Sequence, residues 1–185
     1  MKTKAVIAVL GLAAAAFALP ASAQMRMSSA YAGFGLGQSK FKDACSGISG
    51  CDDKDTAFKI FGGYQFNPNI AAELGYNDLG KASGGGAEIK ATAWELSALG
   101  AFPVANQISI LGRLGVYHGE LKPSGIPGVS SETNNGITFG FGGQFDLNRN
   151  IGLRVEWQRF NKMGGGNFEK SNVDVLGISG LYRFQ

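Results

Sequence analysis

Apolar and polar residues alternate with period two in eight separate stretches of this chain, roughly 29–38, 56–66, 70–78, 89–102, 108–119, 136–145, 151–160 and 173–184. Successive side chains of a strand point to opposite faces, so this alternation predicts β-strands with one apolar and one polar face. Each stretch is about the ten residues that a tilted strand needs to cross a bilayer. Three connections are short: Asn67-Pro68-Asn69, 103–107 and 146–150. Four are long and rich in Gly, Ser, Asn and charge: 39–55, 79–88, 120–135 and 161–172. Short and long connections in strict alternation predict an all-β, eight-stranded antiparallel up-and-down transmembrane β-barrel, with tight turns at the periplasmic rim and loops outside.

Parity assigns the faces. One set is apolar and aromatic, running from Phe34 and Leu36 through Ile60, Leu74, Trp94, Leu114, Phe141 and Trp157 to Ile178. The other is small or charged, with Gly33, Gly35, Gly37, Gly63, Gly115, Gly140 and Gly142 among Lys59, Gln65, Glu73, Glu95, Arg113, Gln144, Arg154, Glu156 and Arg183. A soluble barrel would alternate too, with the apolar set inside. Eight strands, however, enclose an interior just wide enough for side chains to fill, and so many aromatics do not fit there. Glycine in a strand is explained by a crowded lumen, not by a solvated outer face. The apolar set therefore faces lipid. Phe66, Phe102, Phe145 and Phe184 each close an alternating stretch, and with Tyr182 they supply the aromatic girdle expected at the periplasmic rim.

The first residues change the picture only in where the mature chain starts. Lys2 and Lys4 precede an apolar stretch over 5–19, and Ala21-Ser22-Ala23 offers small residues where a signal peptidase reads. This predicts a signal peptide over 1–23, with the barrel domain over 24–185. Loss of Lys2 and Lys4 takes Lys and Arg from 17 to 15 against 14 acids, so the mature chain is nearly neutral and carries no electrostatic footprint for nucleic acid. Cys45 and Cys51, an even pair in an exported chain, are expected to form a disulfide pinning the first external loop.

The inward charges are the constellation that could carry chemistry. Lys59, Arg113, Arg154 and Arg183 face Glu73, Glu95 and Glu156, and unpaired charge inside so small a lumen is costly. A salt-bridge network filling the lumen is expected; a gate of exchanging Arg and Glu partners is the functional alternative. No catalytic, metal or cofactor site is expected. The single histidine, His118, sits at the loop end of the fifth strand, with no nucleophile and orienting acid in the pattern a triad needs. Asp52, Asp53 and Asp55 lack the full spacing of a calcium loop.

Four segments carry a family resemblance: Tyr31-Ala32-Gly33-Phe34-Gly35-Leu36-Gly37, Phe61-Gly62-Gly63-Tyr64-Gln65-Phe66-Asn67, Trp94-Glu95-Leu96-Ser97-Ala98-Leu99-Gly100 and Leu181-Tyr182-Arg183-Phe184. Together they resemble the OmpA-like eight-stranded outer-membrane β-barrel family, over essentially the whole mature chain. The resemblance implies the Gram-negative outer membrane, passage through the periplasm with chaperones, and insertion by the barrel-assembly machinery, which reads a C-terminal aromatic strand. Tyr182 and Phe184 match that signal, and Gln185 departs from it. Larger members add a periplasmic peptidoglycan-binding domain after the barrel, which is not expected here. The expected partners are outer-membrane lipid and lipopolysaccharide, with an extracellular or host ligand at the loops. The expectation is a monomer that supports envelope integrity and presents loops for adhesion; the alternative is a narrow, low-conductance, porin-like channel.

Overall fold

A computed structural model of the chain describes residues 29–42, 52–84, 87–124, 131–164 and 171–184. The predicted signal peptide, Cys45, Cys51 and Gln185 lie outside the described residues. Eight strands are present: β1 (Ser29–Phe41), β2 (Lys54–Asn67), β3 (Ile70–Gly84), β4 (Ala87–Ala105), β5 (Ile108–Ser124), β6 (Glu132–Asp146), β7 (Ile151–Met163) and β8 (Ser171–Phe184). Each pairs antiparallel with its chain neighbour, and β1 also pairs with β8, closing the barrel. Closure satisfies every edge, which the bilayer requires because no water reaches an unpaired backbone group there.

Two of the tight turns are built by asparagine. Asn67 Oδ1 accepts from the Asn69 amide at 2.9 Å, and Asn69 Nδ2 donates to the Ala101 carbonyl at 2.8 Å, tying this turn to β4. Asn148 Oδ1 accepts from the amides of Asn150 and Ile151, both at 2.8 Å. A short polar side chain that bonds its own backbone two residues on is what favours asparagine in turns.

The strands run further outward than the alternation predicts. The stretch 79–88 is not a loop: β3 and β4 continue as a ladder to the Gly84–Ala87 pair. The other long connections shorten likewise, with β5 reaching Ser124, β6 starting at Glu132 and β7 reaching Met163. Two bulges explain part of the discrepancy. Register shifts between Asp78 and Lys81 of β3, and between Phe160 and Met163 of β7, with Gly80 at φ 76° and Lys162 at φ 58°. A bulge adds a residue to one strand and so inverts the inside–outside parity beyond it. Lys81 is accordingly exposed and Ala82 buried, while Lys162 is exposed and Met163 buried.

The apolar outward set stands as predicted. Phe34, Leu74, Trp94, Leu114 and Phe141 are all more than half exposed on the isolated chain, hence against lipid. The inward set is not only small or charged, and this corrects the sequence reading. An external layer of Phe41, Leu79, Ala82, Ala91, Ala93, Tyr117, Leu121, Phe160, Met163 and Val173 closes the lumen on the hairpin side. A second layer, Tyr31, Phe61 and Leu181, closes it toward the short turns. Large rings fit because their ladder neighbours are glycine: Tyr31 opposes Gly63 and Tyr117 opposes Gly136. A Cβ on Gly63 would lie 2.4 Å from the Tyr31 ring.

Gly142 is tighter, because its obstacle is backbone. A Cβ there would lie 2.2 Å from the Val155 carbonyl oxygen. Overpacking of this kind costs about 1–3 kcal/mol even where side chains can yield. Gly142→Ala is therefore expected to destabilise the barrel by at least about 2 kcal/mol, whereas Gly100→Ala, on the lipid face with nothing within 4 Å, leaves it unchanged. Urea titration of both variants in lipid vesicles, read by tryptophan fluorescence, checks this; equal midpoints would contradict it.

Candidate functional site

Between the two apolar layers lies a compact cluster of charge. It is assembled from inward positions of six successive strands: Lys59 on β2, Glu73 on β3, Glu95 on β4, Arg113 on β5, Thr138 on β6, and Arg154, Glu156 and Gln158 on β7. Arg113, only 4% exposed, is the hub. Its Nη2 donates to Glu73 Oε2 at 2.6 Å and to Glu156 Oε2 at 3.2 Å, its Nη1 donates to Glu95 Oε1 at 3.1 Å, and its Nε donates to Glu156 Oε1.

Each carboxylate has a second source of support, with one exception. Arg154 Nη1 donates to both oxygens of Glu73, at 2.8 and 3.0 Å. Lys59 Nζ sits 2.7 Å from Glu95 Oε1, and Gln158 Nε2 donates to Glu95 Oε2 and, at 2.8 Å, to Thr138. Glu156 is hydrogen-bonded, among the described residues, by Arg113 alone. Three cations thus meet three anions, the condition under which buried ions escape the full cost of desolvation. Phe61 adds a non-polar clamp, with Lys59 and Arg154 5.5 and 5.4 Å from its ring centroid.

The cluster departs from the sequence reading in one member. Arg183 reaches it only indirectly; it lies on β8 four residues beyond Ser179, the ladder partner of Arg154, at the periplasmic mouth, and connects through Asp146 and Gln144, whose Oε1 accepts from Arg154 Nη2 at 3.2 Å. There Arg183 Nη2 donates to Asp146 Oδ1 at 2.7 Å, and Gln144 Nε2 donates to the same atom at 2.9 Å. Gln158, which bridges Glu95, Lys59 and Thr138, was missed, although it shares the parity of Arg154 and Glu156. Asp146 falls in the predicted connection 146–150, but the structure carries β6 through it and turns its carboxylate to Arg183. The aromatic residues Phe66, Phe102, Phe145, Tyr182 and Phe184 all lie on the outward face, Tyr182 packing edge-on against Phe184 with centroids 5.3 Å apart.

The remaining candidates are occupied in simpler ways. His118 lies on the external face opposite Trp94, with Nδ1 2.8 Å from Asn135 Oδ1. Asp52 accepts from the Lys54 amide, and Asp55 from the amides of Thr56 and Lys81, so both hold backbone; Asp53 pairs with Lys40 at 3.9 Å.

Residues 26–185 match the sequence model of the OmpA-like transmembrane domain. The chain belongs to that family. This OmpA-like barrel is 31% identical over 199 residues to outer membrane protein A of Salmonella typhi, covering 99% of the chain and 55% of that protein. It is 30% identical over 193 residues to outer membrane protein A of Escherichia coli O157:H7, with the same coverage of each. The chain therefore spans about half the length of the curated relatives it matches. Neisserial surface protein A has the same fold at 15% identity and a TM-score of 0.62, covering 86% of this chain and 100% of that one. Ail of Yersinia pestis does so at 19% identity and 0.54, covering 85% and 97%. The OmpA-like barrel resides in the Gram-negative outer membrane.

Proposed function

We propose that the OmpA-like barrel is a closed membrane anchor that contributes to envelope integrity and holds its external hairpins above the bilayer as an interaction surface. The observation that carries this reading is the layering of the lumen. Ions would have to pass the Tyr31–Phe61–Leu181 layer, the charge cluster and the Phe160–Tyr117–Met163 layer in turn. Two small cavities adjoin the charge cluster, about 40 Å³ beside Lys59, Glu156 and Gln158 and about 30 Å³ beside Tyr31, Arg154 and Leu181 toward the short turns, each space for isolated waters rather than a hydrated file. A roomier cavity, about 800 Å³, lies at the periplasmic mouth, lined by Gln65, Asn67, Gln144, Asp146 and Arg183. The described strand ends of the external hairpins pack around the upper apolar layer, which supports a polar surface above the bilayer.

The lipid-embedded protein, folded and purified, should give no reproducible single-channel steps in planar-bilayer recordings. A conducting state requires Arg113 to exchange carboxylate partners and both apolar layers to part. Steps that change with substitution of Arg113 would overturn the closed-anchor reading and favour the narrow channel.

A further inference from the structure

Asn77 is 4% exposed, yet its Nδ2 has no hydrogen-bond partner among the described residues. A buried donor left unpaired is costly, so such a group calls for a structural cause. Its ladder partner across β2 and β3 is Lys59. Directly opposed residues on one face of an antiparallel pair hold their Cβ atoms about 4.5–5.5 Å apart, within reach of a lysine stem. Both side chains line the same cavity of about 40 Å³, which leaves room for one to swing toward the other.

Glu95 is the third member of the group. Its Oε1 lies 2.7 Å from Lys59 Nζ, although a whole strand, β3, separates β4 from β2. Gly75 makes this reach possible. It is the ladder partner of Glu95, and a Cβ on it would lie 3.1 Å from Glu95 Oε1. The carboxylate therefore crosses β3 over Gly75, two residues from Asn77 and on the same inward face. The other polar contact of Lys59, from Nζ to Gln158 Oε1, is long at 3.3 Å. Ala57, Leu79 and Ala93, the last being the β4 partner of Asn77, are buried beside the group. An amine, a primary amide and a carboxylate thus meet where little water reaches.

We propose that Lys59 and Asn77 are the two ends of an intramolecular isopeptide bond, which the folded chain forms without an added reagent. Lys59 Nζ gives one proton to Glu95 and attacks Asn77 Cγ as the neutral amine. The Nζ–Cγ bond forms and the Cγ–Nδ2 bond breaks. Glu95 relays the second Nζ proton to Nδ2, which leaves as ammonia. Nothing is oxidised or reduced. Glu95 ends neutral, so Arg113 and Arg154 face the carboxylates of Glu73 and Glu156, and the cluster stays balanced as the lysine loses its charge. The cavity beside the pair has room for the departing ammonia, a molecule about the size of water. Holding amine and amide together makes the attack unimolecular, worth an effective concentration of about 10⁵–10⁸ M in well-oriented cases. The bond clamps β2 to β3 where the charge cluster meets the external apolar layer, whether or not the lumen conducts.

The test is a tryptic digest of the folded, purified protein, denatured just before digestion and read by tandem mass spectrometry. The bond protects Lys59 from trypsin, so Asp55–Lys81 should appear as one peptide, lighter by one ammonia and without fragments from between Lys59 and Asn77. Peptide mapping is needed because a cyclised Gln24 would lower the intact mass by the same amount. Lys59→Arg and Asn77→Ala should each give residues 55–59 and 60–81 as separate peptides of full mass. Glu95→Gln, followed over time after refolding from urea, should form the linked peptide about 10²-fold more slowly or worse, the usual cost of losing a general acid–base group. Folding is checked by the altered gel mobility of unboiled protein, and if a variant fails to fold, the parent digest still decides. Separate full-mass peptides from the folded parent after long incubation would overturn the proposal. So would a link from Lys59 to any other residue, or equal linkage in chains kept unfolded in urea.

Discussion

Arg113→Met should destabilise the folded barrel by about 3–5 kcal/mol, the cost of removing one partner from a buried ionic cluster. Methionine keeps much of the volume, so the effect isolates charge. The loss is uneven across the three carboxylates. Glu73 retains Arg154, and Glu95 retains Lys59 and Gln158, but Glu156 loses its hydrogen-bonding partner and stays inside the lumen. The second substitution Glu156→Gln in the Arg113→Met background is therefore expected to recover at least half of the loss, while Glu95→Gln in that background recovers less. Urea titrations in vesicles of the single and double variants measure both, and the double-mutant comparison is needed because residues in one network do not add. A single variant as stable as the parent, or equal rescue by the two glutamines, would show that Arg113 is not the hub.

Leu114→Arg should cost about 2–4 kcal/mol, the depth-dependent cost of a cation on the lipid face near the bilayer midplane. Leu114 is 63% exposed on the isolated chain, and its ladder partners Ala98 and Phe139 also face outward. The same substitution at Thr133, outward on the external end of β6 and opposite Glu120, should cost almost nothing, because it lies outside the bilayer. The pair of variants tests the face assignment and the extent of the band together. The informative reading is the difference in urea midpoint between them; similar midpoints would mean that Leu114 does not meet lipid.

These two residues also show where sequence was sufficient and where it was not. Leu114 was legible because strand side chains alternate by geometry, and eight strands leave no room inside for the apolar set. The inward parity of Lys59, Glu73, Glu95, Arg113, Arg154 and Glu156 followed from the same rule. Which of them touch was not legible. Arg183 has the same parity as its cluster partners, yet it pairs with Asp146, because depth along the barrel axis depends on the stagger of neighbouring strands. The aromatic layers were hidden for a related reason. Tyr31 and Tyr117 break the small-or-charged inward pattern, and they fit only because the register sets each beside a glycine of the next strand.

The sequence by itself determined the strand count, the alternation of tight turns and external connections, the lipid-facing set, and that the barrel spans a membrane. All of these rest on local periodicity and on volumes that add along the chain. The tertiary structure alone decided that Arg113 holds three carboxylates, that two apolar layers close the lumen, and that bulges carry β3 and β7 past the points where parity inverts. It also decided that Lys59 and Asn77 stand opposite each other. Each of these depends on shear and register, which join residues far apart in sequence once the sheet closes on itself, and no period along a single strand encodes them.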